Sequence, residues 1–404
     1  MNDNQTQKKA NVPNTGCHSE RSEESPRHNV PALRFPEFSG EWSHGKLSDY
    51  LAVHPERNNN SEFSKEEVLS VSGDSGVVNQ IELLGRSFAG KDVSNYHVVR
   101  KGNIIYTKSP LKEFPYGIVK MNKGDDGIVS TLYAVYDVEP TSRGEFIEQY
   151  FAYAPRANRY FKPIVRIGAK HDMKIGNDEV LDNVVVFPSI SEQNKIADFL
   201  NIIDGRISIQ NKIIEDLKKL KTAIRDVIFT AVRNVNDKTE FVSDLLSYEQ
   251  PTNYIVESTE YSDNASLTPV LTANKGFILG YTPETFGIYR KGECIIFDDF
   301  TMDSKFVDFP FKVKSSAMKI LTVKADVDLR FMFEYLQSFD LHSEEHKRHY
   351  ISEVETMEVS VPEYERQQQI GKILACIQGK IDNEISIKMA LLRQKNCLLS
   401  TMFI

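Results

Sequence analysis

The chain has 404 residues, of which 40% are hydrophobic and 26% charged, and it carries a formal charge of −8 at neutral pH. That length is too great for one hydrophobic core, so two domains with accessory elements are expected. The negative balance argues against a partner held by charge alone, because affinity for phosphates comes from clustered Lys and Arg. Cys17, Cys294, Cys376 and Cys397 form no CxxC pair and no zinc spacing, and they read as reduced thiols of a cytoplasmic protein. No run approaches the ~20 apolar residues that span a bilayer, and the N-terminus lacks the apolar centre of a signal peptide, so no membrane partner is expected.

Residues 1–29 are rich in Asn, Ser, Glu, Pro and Arg and read as a disordered tail. Residues 30–187 carry short apolar runs broken by turn residues: HVV at 97–99, NIIY at 103–106, GIV at 117–119 and STLYAVYDV at 130–138. With one helical stretch, EFIEQYFAYA at 145–154, they predict a β-rich α+β domain that closes with VLDNVVVFP at 180–188. Residues 188–234 predict a long helix. Residues 235–361 repeat the β-rich texture, with TPVLTA, GFILGYT, ECIIFDDF and SAMKILTV, then a helix in DLRFMFEYLQSF. Residues 362–404 predict a second long helix.

The two long helices are copies. A shift of 174 positions lays Pro188 on Pro362, Gln193 on Gln367, Gly205 on Gly379 and Phe229 on Phe403 without a gap. The β-rich regions align too, with offsets that fall along the chain: 195 for LSDYL against VSDLL, 190 for Arg100-Lys101-Gly102 against Arg290-Lys291-Gly292, and 185 for Phe146 on Phe331 and Tyr150 on Tyr335. A collinear duplication with loop deletions gives that order.

Within each helix a 3.5-residue seam recurs. The first reads Ile196, Leu200, Ile203, Ile207, Gln210, Ile214, Leu217, Lys221, Ile224 and Ile228. The second reads Ile370, Leu374, Ile377, Ile381, Glu384, Lys388, Leu391, Lys395, Leu398 and Met402. A helix of ~40 residues is ~60 Å long and unstable alone with one apolar face, so the copies are expected to pair. Parallel pairing stacks Lys221 on Lys395; antiparallel pairing avoids this, brings Gln210 level with Lys388 and places the domains at opposite ends. A plain dimerisation helix is the other reading of such a seam.

These residues resemble the specificity subunit of type I restriction-modification systems, over nearly the whole chain. The resemblance rests on ALRFPEFSGEW at 32–42, FPSISEQNKIADFL at 187–200, VPEYERQQQIGKIL at 361–374, GIVSTLYAVY at 127–136 and SKFVDFPFKVKSSAMKIL at 304–321. One departure is Arg366 where the first helix has Glu192. The resemblance implies two target-recognition domains, each reading one half of a split, asymmetric sequence in double-stranded DNA. It implies paired helices that act as a spacer and dock two methyltransferase subunits, with restriction and translocase subunits joining outside. It also implies no catalytic role for this chain; methyl donor and ATP would sit on the partner subunits, leaving no cofactor and no metal here. A non-catalytic coiled-coil scaffold with two protein-binding modules is the alternative.

Contacts to DNA are expected where cations cluster. The densest stretch, 156–174, holds Arg156, Arg159, Lys162, Arg166, Lys170 and Lys174 against Asp172 alone, with Tyr160, Phe161 and His171 between them. Lys108 is a weaker candidate. The second domain carries 12 Lys and Arg against 22 Asp and Glu over 235–361, so its contacts are confined to Asn274, Lys275, Arg290, Lys312, Lys314, Lys347, Arg348 and Tyr350.

Two motifs mislead. GRSFAGKD at 85–92 has phosphate-loop spacing, but Asp92 stands where a magnesium-binding Ser or Thr belongs. HSEEH at 342–346 fits an inverted zinc-protease spacing without a third ligand.

Overall fold

The computed structural model describes residues 29–168, 173–235, 238–272, 276–324, 326–339, 341 and 348–404. The expected tail apart from Asn29, which accepts from the Trp42 N–H (2.7 Å), and the HSEEH motif lie outside them. The chain divides into two compact units, 1–202 with 394–404 and 203–393.

In the first unit, strands β1 (Leu51–Val53), β2 (Ile104–Thr107), β3 (Val119–Met121) and β4 (Tyr133–Val138) form a sheet of order β1-β4-β2-β3. Alternation decides which face each side chain takes. Ile104, Tyr106, Ala134 and Tyr136 join the large core on one side, while Ile105 and Val135 meet Leu69, Val99 and Val129 on the other. Two short helices follow the sheet, α1 (Gly144–Phe151) and α2 (Ala154–Phe161). The single helix expected over 145–154 thus breaks at Ala152 and Tyr153, and Pro155 sits in the first turn of α2, where its missing N–H costs nothing. A two-stranded hairpin, β5 (Arg166–Ile167) with β6 (Met173–Lys174), precedes the antiparallel pair of Ser43–Lys46 and Val184–Phe187 that closes the domain. The long helix α3 (Ile190–Asn234) starts directly after it.

The second unit repeats the plan. Strands β7 (Leu246–Glu249), β8 (Cys294–Asp298), β9 (Ser304–Val307) and β10 (Met318–Val323) run in the order β7-β10-β8-β9, the same permutation. Lys238–Phe241 pairs with Glu358–Val361 as the closing frame. Helix α4 (Leu329–Gln337) corresponds to α1, and the long α5 (Tyr364–Thr401) to α3. Strand register refines the alignment: Ile104 pairs with Tyr136 as Ile295 pairs with Leu321, so β2 maps on β8 at an offset of 191. The second copy therefore has one extra residue after the Lys-Gly turn, and the fall of offsets is interrupted by one there.

Each unit's core is completed by the ends of both long helices. In the first, Ile196 and Leu200 of α3 lie beside Leu399 of α5 and the following Met402 and Phe403. In the second, Ile370 and Leu374 of α5 lie beside Phe229 and Val232 of α3. The same aromatic trio anchors both. Phe403 lies 5.3 Å from Phe146 and 5.9 Å from Tyr150, and Phe229 lies 5.5 Å from Phe331 and 4.7 Å from Tyr335, ring centre to ring centre.

Between those ends, within the second unit, the helices run antiparallel: Gln210 bonds Glu384 and, further along α3, Lys221 bonds Gln378, earlier on α5. Every apolar residue of both seams is buried or half-buried. Gln210 does not meet Lys388 as expected. Its amide donates to the carbonyl (3.1 Å) and carboxylate of Glu384, one turn away, because an acceptor for that N–H is available there.

The joint between closing strand and long helix explains the recurring Gln. Gln193 donates to the Pro188 carbonyl (3.0 Å) and accepts from the Arg143 N–H at the start of α1. Gln367 donates to the Pro362 carbonyl (2.8 Å) and accepts from the Asp328 N–H at the start of α4. Glu192 belongs to the first copy alone: buried, it takes a two-pronged bond from Arg34 (2.7 Å to each oxygen) and one from the Trp42 indole (3.3 Å). Arg34 and Trp42 come from the leading segment, which explains why position 366 is free to be Arg.

Candidate nucleic-acid interface

Helix α2 sorts the basic stretch by helical phase. Arg156, Ala157, Tyr160 and Phe161 turn inward, while Arg159 and, just past the helix, Lys162 turn to solvent. Arg156 is only 4% exposed and is a structural residue, which corrects its assignment to DNA. Its guanidinium donates to the carbonyls of Tyr150 (3.0 Å), Leu399 and Ile404 (3.3 Å), and it lies 4.8 Å from the Phe403 ring centre. Burial lowers its pKa to about 10, so it stays charged and caps the carboxyl end of α5. Tyr160 is corrected likewise: buried, it donates its hydroxyl to the Val180 carbonyl at 2.7 Å.

The hairpin supplies the second half of the patch. Arg166 and Lys174 are directly opposed across β5 and β6, and both are exposed. They border an open depression of about 530 Å³ with Pro163, Ile164 and Gly176, and Glu179 and Asp182 on its wall. Among the described residues, none of Arg159, Lys162, Arg166 and Lys174 has an ion-pair partner, although Asp182 is paired with Lys46 (3.2 Å). Like charges placed opposite each other in a hairpin destabilise it. An anion bridging them relieves that repulsion. Lys108 stands behind this surface, half-buried, donating to Asn177 at 2.7 Å, and burial lowers its pKa. Lys170 lies outside the described residues.

The second domain consumes most of its cations internally. Lys312 is fully buried, paired with Glu284 at 2.5 Å and donating to the Phe286 carbonyl at 3.0 Å, so it reaches no ligand. Tyr350 is fully buried against Phe297 and Tyr248 and is corrected in the same way. Lys291, Lys305, Lys319 and Arg330 are held by carboxylates. Arg290 and Lys314 are exposed, and neither is ion-paired among the described residues; Arg290 borders a depression of about 610 Å³ with Leu267, Tyr281 and Phe309. Arg348 is exposed, 4.0 Å from the Asp299 carboxylate. Asn274, Lys275 and Lys347 lie outside the described residues.

The phosphate-loop spacing at 85–92 is not built as one. A helix, Gln80–Leu84, precedes it instead of a strand, and Asp92 accepts from the Ser94 N–H (2.9 Å). No cluster of metal-binding side chains occurs among the described residues, and no described helix is long and apolar enough to cross a membrane. Sequence reasoning missed Lys221 and Glu334 as partners, though Glu334 is the only acid in the apolar run LRFMFEYLQ.

The architecture has precedent. The crystal structure of a type I restriction-modification S subunit from M. genitalium superposes with a TM-score of 0.59 over 93% of this chain and 99% of that one, at 13% identity. The chain shares the fold of type I specificity subunits. A structure described as the basis of complex assembly and conformational transition of the type I system matches with a TM-score of 0.50, covering 90% of this chain and 97% of that one, also at 13% identity. In sequence, the chain is similar to the EcoR124I/EcoR124II specificity subunit of Escherichia coli, 46% identical over 127 residues. That match covers 30% of this chain and 31% of the relative, so the chain spans about a third of that curated relative's length. No family model matches.

Proposed function

We propose that this chain is the sequence-reading subunit of a type I restriction-modification complex, acting on double-stranded DNA in the cytoplasm. Residues 30–187 read one half of a split site and residues 235–361 the other. The long helices space the halves and dock two methyltransferase subunits, and restriction and translocase subunits join the complex. The chain does no catalysis and binds no cofactor, which reside on its partners. The observation that carries this reading is the duplicated domain itself: two copies of one strand order, each mounted by the same Gln joint and aromatic trio on the same helix pair. A duplicated reader whose copies differ in loops suits a sequence with two unlike halves.

The exposed cations of α2 and the hairpin supply phosphate contacts in the first domain. Reversing Arg159 and Arg166 to Glu in the full complex is expected to abolish methylation of the bipartite motif in cells, without loss of assembly. Unchanged methylation would remove this surface from the interface. The acidic second domain favours the scaffold reading; salt-insensitive behaviour and no DNA retained by the assembled complex would support it instead.

A further inference from the structure

A cluster of buried charges lies where α4 meets the two long helices. Glu334 on α4 forms a 2.7 Å ion pair with Lys221 of α3, and its side chain is 4% exposed. The Lys221 ammonium also donates to Gln378 of α5 at 3.0 Å, and Arg225 approaches the other Glu334 oxygen at 4.0 Å. Burying such ions is costly unless they pair, and a well-packed apolar set of similar volume is often at least as stable. Net stability is therefore a weak reason for such a cluster, while losing either partner alone strands a buried charge.

We propose that the buried Glu334–Lys221 pair fixes where the second domain sits on the helix pair, and so sets the gap at which its half of the DNA site is accepted. This rests on the reading of the chain as a DNA-recognition subunit. Helix α4 is tied at two points. Its start is held to α5 by Gln367 and packs closely on Gly371, where an added Cβ would fall 2.9 Å from the Asp328 carboxylate and force it to shift. Two turns on, Glu334 ties it to α3. Sliding the domain along α3 by one helical turn, about 5.4 Å, towards Leu217 would leave the carboxylate buried among apolar neighbours. A slide the other way would carry it to Arg225 and strand the buried Lys221 ammonium with Gln378 alone. The observed register is the one that satisfies both charges. With base pairs stacked about 3.4 Å apart, the excluded slide corresponds to a gap change of one or two base pairs. The first domain has neutral Gln149 at the matching position, so the charged tie belongs to the second domain.

The test uses the full complex of this chain with its modification subunits, and duplexes carrying the motif methylated by the wild type with its gap unchanged or altered by one base pair. Glu334→Gln, and separately Lys221→Met with Glu334→Leu to keep the site packed, are expected to lower the preference for the native gap about tenfold. The bases of both half-sites stay the same. Preference equal to wild type, or affinity lowered alike at every gap, overturns the proposal and leaves the functional reading standing. A wild-type complex that methylates no bipartite motif overturns that reading, and the tie with it.

Discussion

His97 shows how a single side chain links burial to pH. It is 3% exposed, in the strand that pairs with Gly127–Val129, and its Nδ1 has no hydrogen-bond partner among the described residues. Burial first, then the positive charges of Arg57 and Lys108, push its pKa down to about 4. Unfolded, it titrates near ~6.5. Between those values the unfolded chain binds the extra proton, so stability is full above about pH 6.5 and falls as pH drops towards 4. From pH 7 to pH 5 the loss from this group is about 2 kcal/mol. Thermal melts of wild type and His97→Gln at both pH values check it: the variant is expected to lose less on acidification, and an equal loss in both would contradict the assignment. Arg156 and Tyr160 teach the complementary lesson. Counting cations found the stretch, but only the positions at 156, 157, 160 and 161, one face of a helix, tell which side chains turn inward.

At the level of elements, the seam is where sequence and structure agree most closely, because a 3.5-residue repeat dictates burial before any tertiary fact is known. The antiparallel sense was also legible, from the like charges that parallel pairing would stack. The exact register was not: it depends on where Gln210 finds an acceptor, and that is Glu384, itself paired with Lys380 at 2.6 Å. Such a polar contact in an apolar seam specifies register at a cost in stability. Replacing both Gln210 and Glu384 by Leu is therefore expected to raise the stability of the full chain by about 1–2 kcal/mol; a lower melting temperature would mean that the polar pair stabilises the helices. Repeat offsets matched both sheets, and strand pairing pins the one-residue insertion before β8: IIY at 104–106 falls on IIF at 295–297 at an offset of 191, one more than the Lys-Gly turn before it. The exposed basic surface of the first domain was half legible: charge density marked it, while the internal pairing of Lys312, Lys319 and Lys291 had no short-range signal.

For the molecule as a whole, duplication predicts modularity. The joints are alike in both copies, with Gln193 and Gln367 making equivalent bonds, so a domain is a replaceable insert between fixed helix ends. Exchanging residues 30–187 for those of another specificity chain, with Phe146 and Tyr150 kept to receive Phe403, is expected to change one half of the methylated motif and to leave the other half and the gap intact. Mapping methylated bases in cells reads this directly, and a change in both halves would show that the domains do not read independently.

The completion of the first core by Leu399, Met402 and Phe403 also sets an order of events at the ribosome. The contiguous part of that unit ends at Ile202, but its last core residues are made nearly two hundred residues later. At ~5–20 residues per second, that is a wait of ~10–40 s. Throughout it, Trp42, Phe146 and Tyr150 lack the ring that will cover them, an apolar surface open to chaperones or to neighbouring chains. The domain that emerges first is the one that finishes last.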